Sequence, residues 1–328
     1  MRYAYPVSSP SNSFHILAKQ HIALIRELGY IVEEIDVASP TAGSFMTPLL
    51  YDAGSALAKV PGTVAGFDLA DSSLISKFAA SLINSKAKAV VVPTEHNREV
   101  YRRSGVAVPV YVWRPYLDSV WFETPKCSRD FRGTGINILY FLLHSGRRKG
   151  VDIMAAALKE LERRGVPYTL LLRAPEVPPE LSGFKVKLIS EWLDVECLKT
   201  LYYMADVVAL PSRGGGLELN GLEALAVGTP VLVPALGPWA EYIPPRLYPY
   251  LAVKVAGFEP VYLSNPIHVG MGVRADPKDL ADKIVSSLSI ASEVRRERQW
   301  LLSKYGKDAV KAEVAKTLPQ ILSLLGTS

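Results

Sequence analysis

Short runs of apolar residues alternate along the chain with longer segments in which apolar positions recur every three or four residues. The short runs predict β-strands, and the longer segments predict amphipathic helices. Residues 87–93 contain almost only Ala and Val, which is the composition of a strand covered on both faces of its sheet. Because strands and helices alternate, the pattern predicts βαβ units and parallel sheets.

The first part of the chain follows this alternation with one interruption. A helix capped by Ser13 and ended by Gly29 follows the first strand, and helices are predicted at residues 71–85 and 95–104. Residues 38–66 carry many Pro, Gly and Ser residues and give no regular pattern. The predicted strands of this part are residues 2–7, 31–37, 87–93 and 108–113.

The alternation lapses at residues 123–135, which we interpret as a linker, and then restarts. The strands predicted after it are residues 136–142, 168–173, 185–189, 206–210 and 230–234. The predicted helices are residues 151–164, 195–204 and 219–227, with further helices from residue 277 onward. The expected organisation is an N-terminal Rossmann-like domain (1–122), the linker, a C-terminal Rossmann-like domain (136–300) and a last helix (301–328) that crosses back to the N-terminal domain.

Composition narrows the class of protein. The 328 residues are 49% hydrophobic and 21% charged, which indicates a folded protein and excludes disorder as a main theme. No apolar run approaches the roughly 20 residues of a membrane span, and the first residues do not resemble a signal peptide. We therefore expect a cytoplasmic protein. Scarce Asn and Gln, together with 24 prolines, favour a hot environment.

The net charge and the residue types that bind metals say little about the function. The net charge of +5 suits an anionic ligand or peripheral contact with a membrane surface, and is too mild to require nucleic acid. The two cysteines, Cys127 and Cys197, exclude a disulfide scaffold, and we interpret both as bystanders. The five histidines show no metal-binding spacing, so no metal and no other cofactor are expected.

Two predicted loops between a strand and a helix carry candidate chemistry. The first contains His144, Arg147, Arg148 and Lys149 before a helix, where cations and free amides suit a diphosphate. A solvated basic turn is the alternative interpretation. The second loop has three consecutive glycines at 214–216, which allow a ligand to approach the backbone closely.

Glu223 lies in the helix after the glycines, on a face that is otherwise apolar. A carboxylate there needs a partner, and the hydroxyls of a sugar diol can supply one. The alternative is a structural role, with Glu223 satisfied by backbone or by an arginine.

Residues 86–122 and 136–300 resemble the family 4 glycosyltransferases, which have the GT-B fold of two Rossmann-like domains with parallel sheets facing a central cleft. The resemblance is carried by a strand ending in Leu210-Pro211-Ser212, the glycine-rich turn, Leu222-Glu-Ala-Leu-Ala-Val-Gly-Thr-Pro-Val231 and a later Glu241. The segment Lys149-Gly-Val-Asp152 is similar to the family's loop that holds the donor diphosphate.

This resemblance implies retaining transfer of a sugar from a nucleotide-sugar donor, with Lys149 and Arg148 stabilising the leaving diphosphate and Asp68 facing the sugar or acceptor. For Asp68, helix capping before Ser72 is an equal alternative. Amides near Leu219 and Asn220 would assist, and Glu223 would hold the ribose. The donor-binding residues implied are His144, Arg147, Gly215, Gly216, Glu218, Leu219, Asn220 and Glu223.

Three departures from the family pattern bear on these roles. The first glutamate of the family's donor loop falls on Gly215, with Glu218 three residues later, and the family arginine falls on His144. The Gly-Gly turn after the first strand is replaced by a loop whose Ser11, Asn12 and Ser13 would bind phosphate or acceptor.

The expected function is therefore retaining glycosyl transfer to a glycan, lipid or small-molecule acceptor. A non-catalytic nucleotide-binding relative of the same fold is one alternative, because fold alone does not confer activity. A GT-B epimerase or phosphorylase is another.

Overall fold

A computed structural model of the chain describes residues 1–7, 13–37, 43, 45–48, 62–143 and 146–326. These residues form two compact units. The first unit consists of Met1–Tyr116, Leu263–Gly270 and Tyr305–Ser328, and the second consists of Leu117–Tyr262 and Met271–Lys304. The chain therefore contributes three separate stretches to the first unit and two to the second.

The first unit is a six-stranded sheet with helices on both faces. Its strands are β1 (Arg2–Tyr5), β2 (Glu33–Asp36), β3 (Phe45–Pro48), β4 (Val64–Phe67), β5 (Ala87–Val92) and β6 (Val110–Val112). Its helices are α1 (Ser13–Glu27), α2 (Lys77–Lys86), α3 (Glu95–Arg103) and, from the end of the chain, α12 (Lys307–Leu325). All strands are parallel, in the order β2-β1-β3-β4-β5-β6.

Alternate residues of the strands point to opposite faces of this sheet. Tyr3 and Val91 pack with α1 and α12 on one face, whereas Ala4 and Val90 pack with α2 and α3 on the other. Both sets are fully buried, so β4 and most of β5 are apolar at consecutive positions rather than at every second one. This burial explains the Ala and Val residues from which β5 was predicted, whereas the outermost strand β2, Glu-Glu-Ile-Asp, is mostly acidic.

Two stretches from later in the chain complete the first unit. In α12, Thr317 accepts a hydrogen bond at 2.7 Å from the indole nitrogen of Trp113, which is fully buried. Residues 263–270 lie against the segment before α2, where the amide of Ser76 donates to the carbonyl of Ile267 at 2.8 Å. The segment before α2 is thus fixed by residues almost two hundred positions away.

The second unit has its own six-stranded parallel sheet. Its strands are β7 (Ile136–Phe141), β8 (Tyr168–Arg173), β9 (Val186–Ile189), β10 (Val207–Ala209), β11 (Val231–Pro234) and β12 (Ala252–Val253), followed by an antiparallel pair, β13 (Val255–Pro260) and β14 (Met271–Ala275). Its helices are α4 (Gly146–Lys149), α5 (Val151–Arg163), α6 (Val195–Met204), α7 (Leu219–Val227), α8 (Tyr248–Leu251), α9 (Pro277–Ser286), α10 (Ala291–Arg296) and α11 (Arg298–Tyr305). The order of the parallel sheet is β12-β11-β10-β7-β8-β9.

The predicted fold class, with two Rossmann-like parallel sheets, is confirmed, and several predicted details are wrong. Strands β3 and β4 and the pair β13–β14 were not predicted. Ser13 is the first residue of α1 rather than its cap. The helix expected at 71–85 begins only at Lys77, and Ser76 is its cap, accepting from the amide of Ala79.

The interpretation of the cysteines as bystanders is wrong. Cys127 and Cys197 form a disulfide with a Cα–Cα distance of 5.0 Å, which joins the segment 123–135 to α6. The amide of Lys126 donates to Glu196 at 3.1 Å, and that of Phe131 donates to the sulfur of Met204 at 3.3 Å. The segment interpreted as a linker is therefore bound along one helix of the second unit.

In the part of the chain that the structure describes, no helix combines the length and the apolar character that crossing a membrane requires.

Replacing both cysteines by serine should lower the free energy of unfolding of the second unit by about 2–4 kcal/mol, because the disulfide closes a loop between residues 70 positions apart. Chemical denaturation with and without a reductant measures the effect. The wild type should lose stability in reductant, whereas the serine variant should not respond. Two free thiols in the denatured, unreduced wild type would contradict the bond.

Candidate active site

The candidate site lies at the carboxyl edge of the second sheet, where the strand order reverses. From β7 the chain proceeds through β8 to β9 on one side, and then returns through β10 to β12 on the other. The loops that follow the neighbouring strands β7 and β10 therefore diverge at this point. In open parallel sheets such a reversal forms a crevice where ligands bind.

The loop after β7 is fixed against the loop after β10. Gly150 has a φ of +76°, and a Cβ at this position would lie 2.1 Å from the carbonyl oxygen of Pro211. Only glycine fits this close approach in a left-handed conformation. The amide of Arg213 donates to the carbonyl of Arg148 at 2.7 Å, and the hydroxyl of Tyr140 donates to the carbonyl of Lys149 at 3.1 Å.

The side chain of Arg213 connects three segments of the second unit. It is 1% exposed and pairs with both carboxylate oxygens of Asp152, at 2.8 and 2.6 Å. It also pairs with Glu259 on β13 and donates to the carbonyl of Arg147 at 2.6 Å. Burial opposes ionisation of Asp152, but the hydrogen bonds from Arg213 lower the pKa of that carboxyl. Arg213 therefore has a structural role, because two carboxylates neutralise its charge.

Lys149 and Glu218 form a largely buried ion pair in the centre of the site. The Lys149 Nζ lies 2.6 Å from Glu218 Oε1, and the two side chains are 12% and 1% exposed. Ser212 donates to the same oxygen at 2.5 Å. The second carboxylate oxygen of Glu218 is buried and has no hydrogen-bond partner among the described residues.

The glycine-rich loop brings Arg148 next to Gly215. Arg148 is 8% exposed and donates to the carbonyl of Gly214 at 3.1 Å. A Cβ at Gly215 would lie 3.4 Å from the Arg148 Nη1, 3.8 Å from Trp239 and 3.9 Å from the Cγ of Glu218. A side chain at position 215 would thus point into the space between these three residues.

Glu223 is partly buried on the first turns of α7 and is hydrogen-bonded to Tyr202. The hydroxyl of Tyr202 donates to Glu223 Oε2 at 2.7 Å and accepts from the side-chain amide of Asn220 at 3.1 Å. Burial raises the pKa of Glu223 to about 7, although the hydrogen bond from Tyr202 opposes this effect. The partner of the carboxylate is therefore a tyrosine from α6, not a backbone group or an arginine.

Most of the predicted donor-binding residues come together at this one edge of the second sheet. They are Arg147, Arg148, Lys149, Gly215, Gly216, Glu218, Leu219, Asn220 and Glu223. Arg147 is 40% exposed at its side chain and lies 3.4 Å from Glu259. Of the remaining predictions, Ser11, Asn12 and His144 lie outside the described residues.

Asp68 and Ser13 belong to the first unit. Asp68 follows β4, is 2% exposed, and accepts from the amide of Leu69 at 2.8 Å. It does not cap α2, which has Ser76 at its start, so the helix-capping alternative is wrong. Burial raises the pKa of the Tyr101 hydroxyl well above its ordinary range, and the negative charge of Asp68 adds to this effect.

Several residues that form this site were not predicted. Ser212 and Asp152 lie in motifs that carry the family resemblance but were assigned no role, and Arg213 and Tyr202 were not singled out. A buried arginine needs a carboxylate, but nothing in the local sequence indicates that Arg213 is buried. In the described part of the chain, no group of three or more His, Cys, Asp or Glu side chains is arranged to hold a metal ion.

Residues 137–289 match the family model described as glycosyl transferases group 1. A relative from Sulfolobus islandicus rod-shaped virus 1, named "Uncharacterized protein 356", is 25% identical over 351 aligned positions, which cover 96% of this chain and 97% of the relative. The matched family region contains every element of the candidate site, from the loop after β7 to α7.

Two solved structures show the same fold over nearly the whole chain. Anabaena HepE, solved in complex with UDP and glucose, gives a TM-score of 0.65 at 15% identity and covers 97% of this chain and 99% of that one. Sucrose-phosphate synthase from Thermosynechococcus elongatus gives a TM-score of 0.64 at 15% identity and covers 98% of each chain. These similarities confirm the predicted GT-B fold class.

The Glu223→Gln variant should become more stable relative to the wild type as the pH rises from about 4.5 to 7. The folded protein keeps the proton of Glu223 up to a pH of about 7, whereas the unfolded chain releases it near 4.5. The unfolding free energy of the wild type therefore falls across this window, and the gap should grow by about 2–4 kcal/mol.

Urea denaturation of both proteins at several pH values measures this gap. Glu176→Gln, which changes an exposed glutamate, is the matched control and should show a gap that does not vary in the same way. A gap between Glu223→Gln and the wild type that is constant from pH 4.5 to 7.5 would contradict the raised pKa.

Proposed function

Because residues 137–289 match the family model of the group 1 glycosyltransferases, we propose that this enzyme transfers a sugar from a nucleotide diphosphate sugar to an acceptor with retention of configuration. The observation that carries the proposal is the convergence of Lys149, Arg148 and the start of α7 at the reversal point of the second sheet. Cations and helix amides in one crevice suit a diphosphate.

The donor side of the proposal places the diphosphate against Lys149 and Arg148. The first amides of α7 have no acceptor within the helix and contribute a positive dipole end. The similar fold of HepE, which was solved with UDP and glucose, supports a nucleotide-sugar donor. Glu223 would accept hydrogen bonds from the ribose hydroxyls, with Tyr202 and Asn220 holding the carboxylate in place.

In the proposed reaction, the bond between the sugar and the diphosphate breaks, and its electron pair goes to the diphosphate. Lys149 and Arg148 stabilise the negative charge that develops there, which is the kind of fixed electrostatic assistance that dominates many enzymes. The acceptor hydroxyl attacks from the face that the diphosphate leaves and transfers its proton to the departing diphosphate oxygen. This course needs no nucleophile from the protein, and we assign it no metal or organic cofactor.

For the acceptor side we propose residues of the first unit. Asp68 follows a strand of that sheet, and Ser13, which comes directly after Ser11 and Asn12 in the sequence, begins α1. A glycan, a lipid and a small molecule are all compatible with hydroxyl and carboxyl side chains.

A panel of nucleotide sugars, assayed by thermal unfolding, tests the function. When the concentration of the native donor exceeds its dissociation constant, the unfolding temperature should rise in proportion to the logarithm of that concentration. The selected donor should then be hydrolysed slowly without acceptor. A panel that leaves the unfolding temperature unchanged, with no hydrolysis, would refute the proposal.

Lys149→Met should weaken binding of the nucleoside diphosphate of the selected donor by roughly 1.5–3 kcal/mol, because a charge-assisted contact is lost. Isothermal titration calorimetry measures the affinity. Lys159→Met, which removes an exposed lysine of α5, is the matched control and should bind as the wild type does. Equal affinities of Lys149→Met and the wild type would remove Lys149 from the diphosphate site.

Above the pKa of Glu223, at about pH 8, Glu223→Gln should raise the dissociation constants of the nucleoside diphosphate and of its sugars by the same factor, about tenfold, because a charged acceptor for the ribose is lost. The same calorimetric titrations provide the comparison, again with Glu176→Gln as the control. Normal nucleotide binding by Glu223→Gln, together with altered stability, would give Glu223 a structural role only.

A further inference from the structure

The side chain of Lys149 already has an ion-pair partner in this structure. Its ammonium lies 2.6 Å from Glu218, and Ser212 holds the same carboxylate oxygen at 2.5 Å. Glu218 is the residue directly before α7, but its side chain makes no capping hydrogen bond to the helix. The carboxylate therefore points to the lysine rather than to the amides that a capping side chain would satisfy.

The pair is incompletely satisfied, in contrast to the other buried ion pair of the site. Both carboxylate oxygens of Asp152 receive hydrogen bonds from Arg213. The Oε2 of Glu218, by comparison, is buried without a hydrogen-bond partner in the described residues. An ion pair that serves only stability is expected to satisfy its buried oxygens, because an unpaired one is costly.

We propose that Glu218 is an internal competitor of the donor diphosphate for Lys149. In the empty site it keeps the lysine paired, and when phosphates bind they must share or take the ammonium. This inference rests on the proposed function, in which Lys149 contacts the diphosphate. Its consequence is that Glu218 weakens the binding of the diphosphate product, which the enzyme must release after each transfer.

The electrostatics support competition over cooperation. A carboxylate next to a diphosphate repels it, and the repulsion is strong where water is scarce. Ser212 can satisfy Glu218 after the lysine turns to a phosphate, since its hydroxyl stays within hydrogen-bond distance. Glu218 can thus give up Lys149 without losing all of its contacts.

Inorganic pyrophosphate is the probe, because it has neither base nor ribose and reports on the diphosphate position alone. Calorimetric titration at low ionic strength should show Glu218→Gln binding pyrophosphate about tenfold more tightly than the wild type. Glu293→Gln, which removes the same charge from α10 at a side chain that is 45% exposed, should bind as the wild type does. Unchanged or weaker binding by Glu218→Gln would overturn the proposal.

A double-mutant cycle with Lys149→Met distinguishes competition from simple repulsion. If Glu218 acts through the lysine, the gain from Glu218→Gln should shrink when Lys149 is absent. An equal gain in both backgrounds would show repulsion alone and would also overturn the proposal. If Lys149→Met by itself does not weaken pyrophosphate binding, the placement of the diphosphate in the proposed function fails instead.

Ser212→Ala provides a second route if Glu218→Gln does not fold. Without the hydroxyl, Glu218 loses the contact that satisfies it after Lys149 turns to a phosphate, so it should hold the lysine more strongly and pyrophosphate should bind two- to threefold more weakly. Thermal unfolding of each variant without ligand establishes that it is folded. Unchanged or tighter binding by folded Ser212→Ala would contradict the assigned competition.

Discussion

The buried guanidinium of Arg213 is the contact on which the geometry of the site depends. It holds Asp152 at the start of α5, the carbonyl of Arg147 before it and Glu259 on β13. These groups come from two stretches of the chain, residues 147–152 and strand β13, and each must be in place for the charge to be neutralised. Removing one partner of such a pair is costly, because it leaves a buried charge uncompensated. Together with the backbone hydrogen bond from Arg213 to Arg148, this side chain fixes the two loops at the reversal point relative to each other.

The cations of this site differ in how many carboxylates each one contacts, and this difference distinguishes their roles. Arg213 is 1% exposed and has two carboxylates and a carbonyl as partners, so its charge is already compensated within the protein. Lys149 is held by one carboxylate, one of whose oxygens has no hydrogen-bond partner among the described residues. In the proposed function this cation exchanges its carboxylate for a phosphate, and the loss of the buried ion pair is the cost that weakens diphosphate binding. Two basic residues from different loops of the site thus differ: Arg213 serves the structure, and Lys149 serves the diphosphate in the proposed function.

The sequence was informative wherever the physical cause was local. Strand β8 and helices α6 and α7 have the predicted bounds, because their periodicity lies within the element. Strands β3 and β4 are four residues each in a region rich in Pro and Gly, and they exist through pairing with β1 and β5. The need of Glu223 for a partner followed from its apolar surroundings. That the partner is Tyr202, and that Cys127 meets Cys197, depends on packing between elements.

Compared with the family pattern, the acidic residue of the glycine-rich loop lies at position 218 instead of 215. In the proposed function this difference affects how well the site distinguishes one sugar from another. A carboxylate at position 215 would face Arg148 and Trp239, where it could contact the transferred sugar. At position 218 the carboxylate instead faces Lys149 and Ser212. A site rejects the wrong sugar strongly only when one of its own buried polar groups would be left unpaired. In the proposed function, glycine at 215 and the acid at 218 place the negative charge of this loop beside the diphosphate and leave the sugar side of the loop without a carboxylate.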